Sequence, residues 1–585
     1  MSTDLSTARL LAHLLMPTRE VKELCSLKPE RAPALVRACQ RNKIPLLSLA
    51  VRDPFFTPLL SSEVFQRARE EERQRWVAWR EEYLQVSHAW AQAGIRAVLI
   101  KSVGIAPSFP YRSDNIDVLV SLEDAPLARE ILLDEGYVEL KNVEEPHKFL
   151  FRKFHEGTSV SAIHLHEFVG WGTGFLDDRV VLAKARRPED DPDLLIPSAE
   201  EGLLITMAHA FYEDKEVKLG DLWKVVHLLR EELDWERIFQ QAERWGWREG
   251  LEASIWLWAE LERWLYGEHS FPKEVVARAR REVPGWSRRC LDERLSAQPS
   301  FPWRIGFFFS KRHYYAKIWR DKTISWGQKA LDALRHSWAG VERRLPFRWQ
   351  RPMLISLSGV DGSGKTSLVQ GLRGALQECD LAAEVIWCRG ASSPLTDALI
   401  RLVKPLLPRR QGLDVQGGSR EAKVIRKSFW LQHPLLRWGW ILLTLADAFL
   451  TCWPKICWAL LRGRIVLADR YIYDVLVELA ALVDRVQVAE SWPAKLALWL
   501  FPQPHIAYLL DVSPEEALAR KPEEYLPFLE RQVFVYHRLA VPWDMRLVNA
   551  EEELVEVQDR LTHEVLISYY APGEALQDVA EPMEG

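Results

Sequence analysis

The densest concentration of chemistry-bearing residues in this chain is Gly359-Val360-Asp361-Gly362-Ser363-Gly364-Lys365-Thr366-Ser367. Glycines at this spacing let backbone N–H groups close around phosphate oxygens, and the positive end of the helix that follows adds to the attraction. Lys365 reaches further along a triphosphate, and Thr366 offers a hydroxyl to Mg²⁺. The loop therefore predicts a nucleoside triphosphate site, with ATP and Mg²⁺ as the expected ligands. Ile465-Val-Leu-Ala-Asp469-Arg470 ends an apolar run with a carboxylate. In parallel α/β sheets ligands gather at such strand ends, where Asp469 can hold Mg²⁺ through water and Arg470 can clamp an anionic acceptor. Arg520-Lys521 follows a short helical stretch opened by Ser513-Pro514. Those cations could ride on a lid over the triphosphate, although a pair at a helix end also compensates the helix dipole.

A second cluster lies near the N-terminus, at Asp114-Asn115-Ile116-Asp117. Carboxylates spaced by one residue share a strand face and can share metal ions, the geometry that nucleotidyl transfer uses. Asp114 is out of phase with that face, which leaves Asp117 as the metal-ligating candidate.

The elements that must position these groups follow two regimes. In the C-terminal half, apolar runs at 353–358, 384–387, 465–468, 506–510 and 546–549 alternate with helical patterns, which predicts a parallel sheet covered on both faces. In the N-terminal half, strands are expected at 95–100 and 116–120, a helix at 125–135 ending at Gly136, a long charged helix over 70–90, and helices from 200 to 264. That reads as a small α/β unit with a helical cap. Between them, residues 301–352 carry twelve Lys or Arg against three acids, interleaved with aromatics such as Phe307, Phe308, Tyr314, Trp319 and Trp326. Such a segment could bind nucleic acid or lie on an anionic membrane face; the favoured expectation is an interdomain helical linker whose aromatics pack on its neighbours. The predicted organisation is 1–290, a basic aromatic linker at 291–352, a third region at 353–570 and a disordered acidic tail at 571–585, with a basic loop over 404–427.

Composition bounds the partners. The chain has 585 residues, 48% apolar and 27% charged, as in a soluble globular protein. A net charge of −5 gives no global pull toward nucleic acid. Seven cysteines without a CxxC pair argue against a disulfide framework or a cysteine-built zinc site, and Met1-Ser-Thr-Asp4 shows no signal-peptide pattern, so a cytoplasmic location is expected. The run 438–461 is broken by Asp447, Pro454 and Lys455 and reads as two buried helices rather than a membrane span.

Taken together, the phosphate loop with Asp361, Asp469-Arg470-Tyr471, Leu510-Asp-Val-Ser-Pro-Glu-Glu-Ala with Arg520-Lys521, and Tyr536-His-Arg-Leu-Ala540 resemble the thymidylate kinase family over 353–568. The resemblance implies a P-loop fold, a three-layer arrangement around a parallel sheet, and transfer of the ATP γ-phosphoryl group to a nucleoside monophosphate or similar small acceptor. It implies that Lys365 and Arg520 stabilise the transferring group, that Thr366 and Asp469 serve Mg²⁺, and that Asp361 and Arg470 face the acceptor. Three positions depart from the family. Ser358 stands where a Glu usually precedes the loop, Ile472-Tyr473-Asp474 replaces a Ser or Thr after Asp-Arg-Tyr, and Trp387-Cys-Arg-Gly390 lacks the Arg-Glu-Pro acceptor pattern.

The N-terminal region resembles the uncharacterised nucleotidyltransferase family over roughly 8–290, through Ile100-Lys101-Ser-Val-Gly104, Arg112, Asp117, Gly136-Tyr137, Ile163-His-Leu-His166, His209 and Leu219-Gly-Asp-Leu-Trp. Here the family's Asp-x-Asp reads Asn115-Ile-Asp117, and His164 stands at the place of its third carboxylate. Asp117 with two histidines could still bind a metal, but the two-metal site is impaired, which favours a degenerate module kept for binding or scaffolding. The competing reading of the whole chain is an ATP-binding regulatory or scaffold protein associated with polysaccharide assembly.

Overall fold

A computed structural model of the chain describes residues 5–16, 29–49, 57–110, 115–140, 148–171, 173–296, 300–342, 351–388, 390 and 420–570. The chain divides into two compact units, Met1–Lys153 with Val160–Pro346, and Phe154–Ser159 with Phe347–Gly585. Arg112 and Asp114, most of the expected basic loop and the acidic tail lie outside the described residues.

The first unit is built on a mixed sheet of five strands: β1 (Val98–Leu99), β2 (Ile116–Leu119), β3 (Val138–Leu140), β4 (Lys148–His155) and β5 (Thr158–His166), in the order β1-β2-β5-β4-β3. Strand β2 runs antiparallel to β1 and parallel to β5, with Asp117 opposite His164 and Leu119 opposite His166. Alternation along β2 sorts its side chains onto two faces. Ile116, Val118 and Val120 share a core with Tyr83 and Trp90 of α1 (Glu63–Gln92) and Leu132 of α2 (Ala125–Asp134). Leu119 instead packs with a helical layer that includes α3 (Ala199–Ala208), α4 (Leu219–Leu228) and α5 (Arg248–Tyr266). Asp117 therefore lies on the face that meets those helices.

The segment expected to link the halves is built into this unit. Strand β7 (Trp303–Arg304) pairs with β6 (Glu216–Val217), and α6 (Phe307–Arg320) buries Phe309, Tyr314 and Ile318 in the helical core. Part of its charge is spent internally. Lys317 Nζ donates to Thr173 Oγ1 at 2.6 Å and to Asp321 at 2.8 Å, both bonds buried, while Arg320 pairs with Glu249 and Lys322 with Glu243. Of the aromatics that looked like a binding stripe, Phe309 and Tyr314 are buried, while Phe307, Phe308, Trp319 and Trp326 stay exposed.

The second unit holds a five-stranded parallel sheet of β8 (Met353–Ser358), β9 (Ala383–Trp387), β10 (Ile465–Asp469), β11 (Ile506–Asp511) and β12 (Arg546–Asn549), in the order β12-β11-β8-β10-β9. Strand β8 is central and wholly buried, which is why it reads as an unbroken apolar run. The sheet is flanked by α7 (Lys365–Glu378), α8 (Arg420–Trp430), α9 (Pro434–Thr451), α10 (Trp453–Leu461), α11 (Ile472–Val483), α12 (Trp492–Leu500), α13 (Pro514–Arg520), α14 (Leu526–Ala540) and α15 (Leu554–Tyr570). Two expectations need correction. Residues 420–430 are helix rather than loop. Helices α9 and α10 are long and apolar enough together to cross a membrane, but they bury only one side: Ile441, Leu445, Ala448 and Ile456 face inward while Leu435, Leu450, Trp458 and Leu461 are exposed. Total apolarity does not say which face of a helix is covered.

Candidate functional site

The loop after β8 is shaped by its glycines. Gly359 and Gly362 sit at φ 149° and 92°. A Cβ on Gly362 would come within 2.5 Å of the Ala517 carbonyl, so α13 can lie against the loop only because no side chain is present there. Gly364 caps α7, whose first turn carries Lys365, Thr366 and Ser367; the last two face solvent. The Lys365 ammonium is buried and donates to the carbonyls of Gly359 (2.9 Å) and Val360 (2.6 Å) and to Ser363 Oγ (3.2 Å). Burial, with Arg470 nearby, pushes its pKa down to about 8 against the pull of Asp474, Asp361 and Asp469.

Parallel pairing sets Asp469 beside Leu357 at the C-terminal end of the sheet, and the Thr366 hydroxyl donates to its Oδ2 at 2.8 Å. A hydroxyl and a carboxylate side by side at a loop of this shape are hard oxygen donors, which fits Mg²⁺. Arg470 holds a left-handed backbone at φ 71°, costly for a side chain of its size, and its guanidinium meets Asp361. Arg420 bridges Asp361 and Glu524, at 2.5 Å each, and Lys521 lies 3.8 Å from Asp361. Burial would raise the Asp361 carboxyl, but the guanidinium of Arg470, followed by Lys365, Arg420 and Lys521, holds it well below the usual carboxylate range. Arg520 is placed elsewhere, donating to Glu516 Oε1 and the Ala550 carbonyl at 2.9 Å each. In the state described it is Lys521, not Arg520, that joins the charge cluster.

Beneath the loop lies a carboxylate that the sequence reading passed over. Asp474, in the first turn of α11, is buried and accepts from Ser358 Oγ (2.7 Å), Gly359 N (3.3 Å), Tyr471 N (2.8 Å) and Tyr536 OH (2.8 Å). Ser358 and Asp474, both noted as departures from the thymidylate kinase pattern that the sequence resembles, touch here. A carboxylate from the helix after β10 thus reaches the start of the loop. Arg420, Glu524 and the role of Tyr536 were missed as well; Arg420 lay in what read as a loop.

In the first unit, Lys101 Nζ lies 2.8 Å from Asp117 Oδ2, while His166 Nε2 and His164 Nδ1 lie 2.9 and 3.6 Å from Oδ1. Burial would raise the Asp117 carboxyl; Lys101 and the two imidazoles hold it well below its ordinary value. Beside this cluster opens a cleft of about 930 Å³ lined by Lys43, Lys101, Lys224, His209, Asp214 and Trp223, among others. Burial, then Lys101, pushes the His209 imidazole toward its neutral form. Ser108, on the same wall, is held by Asp190 through its N–H at 2.9 Å.

With this geometry described, similarity to known proteins can be placed. Residues 28–262 match the family described as "Uncharacterised nucleotidyltransferase". In another part, the chain is 28% identical over 232 residues to the thymidylate kinase of Symbiobacterium thermophilum, a stretch covering 37% of this chain and 94% of that protein. Both similarities are to nucleotide-related transferases, one in each part of the chain.

Proposed function

We propose that residues 353–570 form a P-loop phosphotransferase resembling thymidylate kinase, which transfers the γ-phosphoryl group of ATP to a nucleoside monophosphate or similar small acceptor. The observation that carries this reading is the placement of Thr366 against Asp469 at the mouth of a loop whose lysine is buried beneath it. In this reading Gly359, Gly362, Ser363 and Gly364 let the loop backbone close on the β- and γ-phosphates. Lys365 exchanges its loop carbonyls for phosphate oxygens, and Ser367 adds a hydroxyl on the first turn. Mg²⁺, held through Thr366 and Asp469, supplies charge neutralisation. An acceptor oxygen attacks the γ-phosphorus, the bond to the β–γ bridging oxygen breaks, and ADP leaves. Arg470, tethered by Asp361, orients the anionic acceptor, and Arg420 and Lys521 add positive potential. Arg520 reaches the transferring group only if the α13 end moves, which makes it a lid residue.

For the first unit we infer a nucleotidyltransferase-like module whose cationic cleft takes an anionic ligand. Asp117 is paired with Lys101, and among the described residues two imidazoles, not a second acid, lie against its other oxygen.

The test is a panel of nucleoside monophosphates and phosphorylatable sugars incubated with labelled ATP and the full chain. Tight ATP binding without phosphorylation of any acceptor would replace the kinase reading with the ATP-binding scaffold reading.

A further inference from the structure

We propose that Asp117, His164 and His166 form a binding site for a divalent transition-metal ion of the zinc class, independent of the phosphate loop. One carboxylate oxygen and two imidazole nitrogens lie within 4.8 Å of one another. Four-coordinate zinc with bonds of about 2.0–2.1 Å sets its ligands about 3.3 Å apart. The observed separations from Oδ1, 2.9 and 3.6 Å, straddle that value, and the two imidazole nitrogens lie within 4.8 Å of each other, a gap that rotation of the His164 ring can close.

Three further features favour a metal over a plain ion-pair cluster. Lys101 already neutralises the carboxylate through Oδ2, so charge balance gives no reason for two imidazoles to converge on Oδ1. A ligating carboxylate is normally held on its outer oxygen in this manner, leaving the inner one for the ion. The backbone is also stiff: β2 and β5 are paired in register, Asp117 directly opposite His164, which fixes the three side chains on one sheet face. Finally, Asn115, two residues before Asp117, has a buried side-chain oxygen without a hydrogen-bond partner. The spacing of two places it on the same side of the chain, where it can supply a further oxygen. Asp117 and His166 are buried while His164 sits toward solvent, so the ion has a way in.

The donor set decides the class of ion. Mg²⁺ demands oxygen ligands in octahedral geometry, whereas two imidazoles with one carboxylate suit Zn²⁺, Co²⁺ or Fe²⁺. The substitutions that spoil a two-Mg²⁺ site are thus the ones that create this one.

The experiment is Co²⁺ titration of the full chain, stripped with chelator and free of nucleotide, followed by visible absorption. The expected result is saturable one-to-one binding without thiolate charge-transfer bands, reversed by Zn²⁺ and not by excess Mg²⁺. Asp117→Asn and His164→Ala each weaken it at least about 10-fold. His164 is near the surface, so its variant keeps the test sound if Asp117→Asn folds poorly. Lys365→Ala binds Co²⁺ as the wild type does, which separates this site from the proposed kinase site. No saturable binding, thiolate bands, undiminished affinity in His164→Ala, or ready displacement by Mg²⁺ overturns the proposal.

Discussion

Asp117 in the first unit and Asp474 in the second are both buried beside a sheet, and their hydrogen-bonding partners differ in kind. Asp474 accepts hydrogen bonds from two hydroxyls and two backbone N–H groups, drawn from β8, the loop, α11 and α14, while Lys365 and Arg470 act on it through charge alone. Asp117 faces an ammonium and two imidazoles. A carboxylate ringed by fixed neutral donors ties elements together and exchanges nothing. One that shares its oxygens with titratable nitrogens can trade a partner for a ligand. The same side chain is thus an anchor in one unit and a candidate ligand in the other, and the environment makes the difference.

The largest expected effect tests the anchor's tenant. Lys365→Ala should lower kcat for ATP-dependent phosphorylation by about 10²–10³-fold or more, as loss of a single well-placed charge donor does. Activity at wild-type level in that variant would remove the loop from the chemistry.

The anchor itself comes next. Asp474→Ala strands two hydroxyls and two N–H groups in a buried site and should cost about 3 kcal/mol in denaturant unfolding. Asp117→Ala, beside a lysine that can reach water, should cost less than half as much. Equal losses would erase the contrast between the two carboxylates. A sharper cut moves the acid: Ser358→Glu alone sets a second carboxylate against Asp474 and should destabilise by about 2–4 kcal/mol. Ser358→Glu with Asp474→Ser should recover most of that loss. A double-mutant cycle without such coupling would show that the two departures do not compensate each other.

Proton linkage gives a smaller effect. Because burial brings Lys365 down to about 8 from its ordinary 10.5, raising the pH through that value neutralises it in the free protein. ATP affinity should therefore fall above pH 8, by about tenfold per pH unit at most. Over the same window the unfolded chain keeps its proton and the folded one does not, so this group's contribution to stability rises with pH between about 8 and 10.5. Calorimetry of ATP binding at pH 7 and 9.5 checks the first, and Lys365→Met should flatten both. The smallest effect is Tyr536→Phe, which removes one of four bonds to Asp474 and should cost about 1 kcal/mol.

Much of this was legible because the information was local. The strand at 353–358, the glycine spacing and the helix after it lie within one short stretch, and the strands beginning at 353, 465 and 506 show as apolar runs. What was not legible depends on register across long separations. Asp474 reads as an ordinary acid in a first helical turn until Tyr536, 62 residues on, and Ser358, 116 residues back, are brought to it. The strand at 148–155, with Lys148, Arg152 and Lys153 among its phenylalanines, gives a weak apolar signal and was not expected. The segment 303–320 looked like an exposed cationic stripe because its neutralising partners, Glu249 and Glu243 among them, lie far back in the chain.

That segment also says where inheritance can cut. If the chain arose by joining two genes, the seam cannot fall at residue 290, where the charge pattern shifts, because β7 and α6 complete the first unit's interior. A gene fragment ending near 295 would encode a protein missing one wall, with Phe211 and Trp286 left without Phe309. Any recombinant that trades the first unit must carry its reading frame past Asp321.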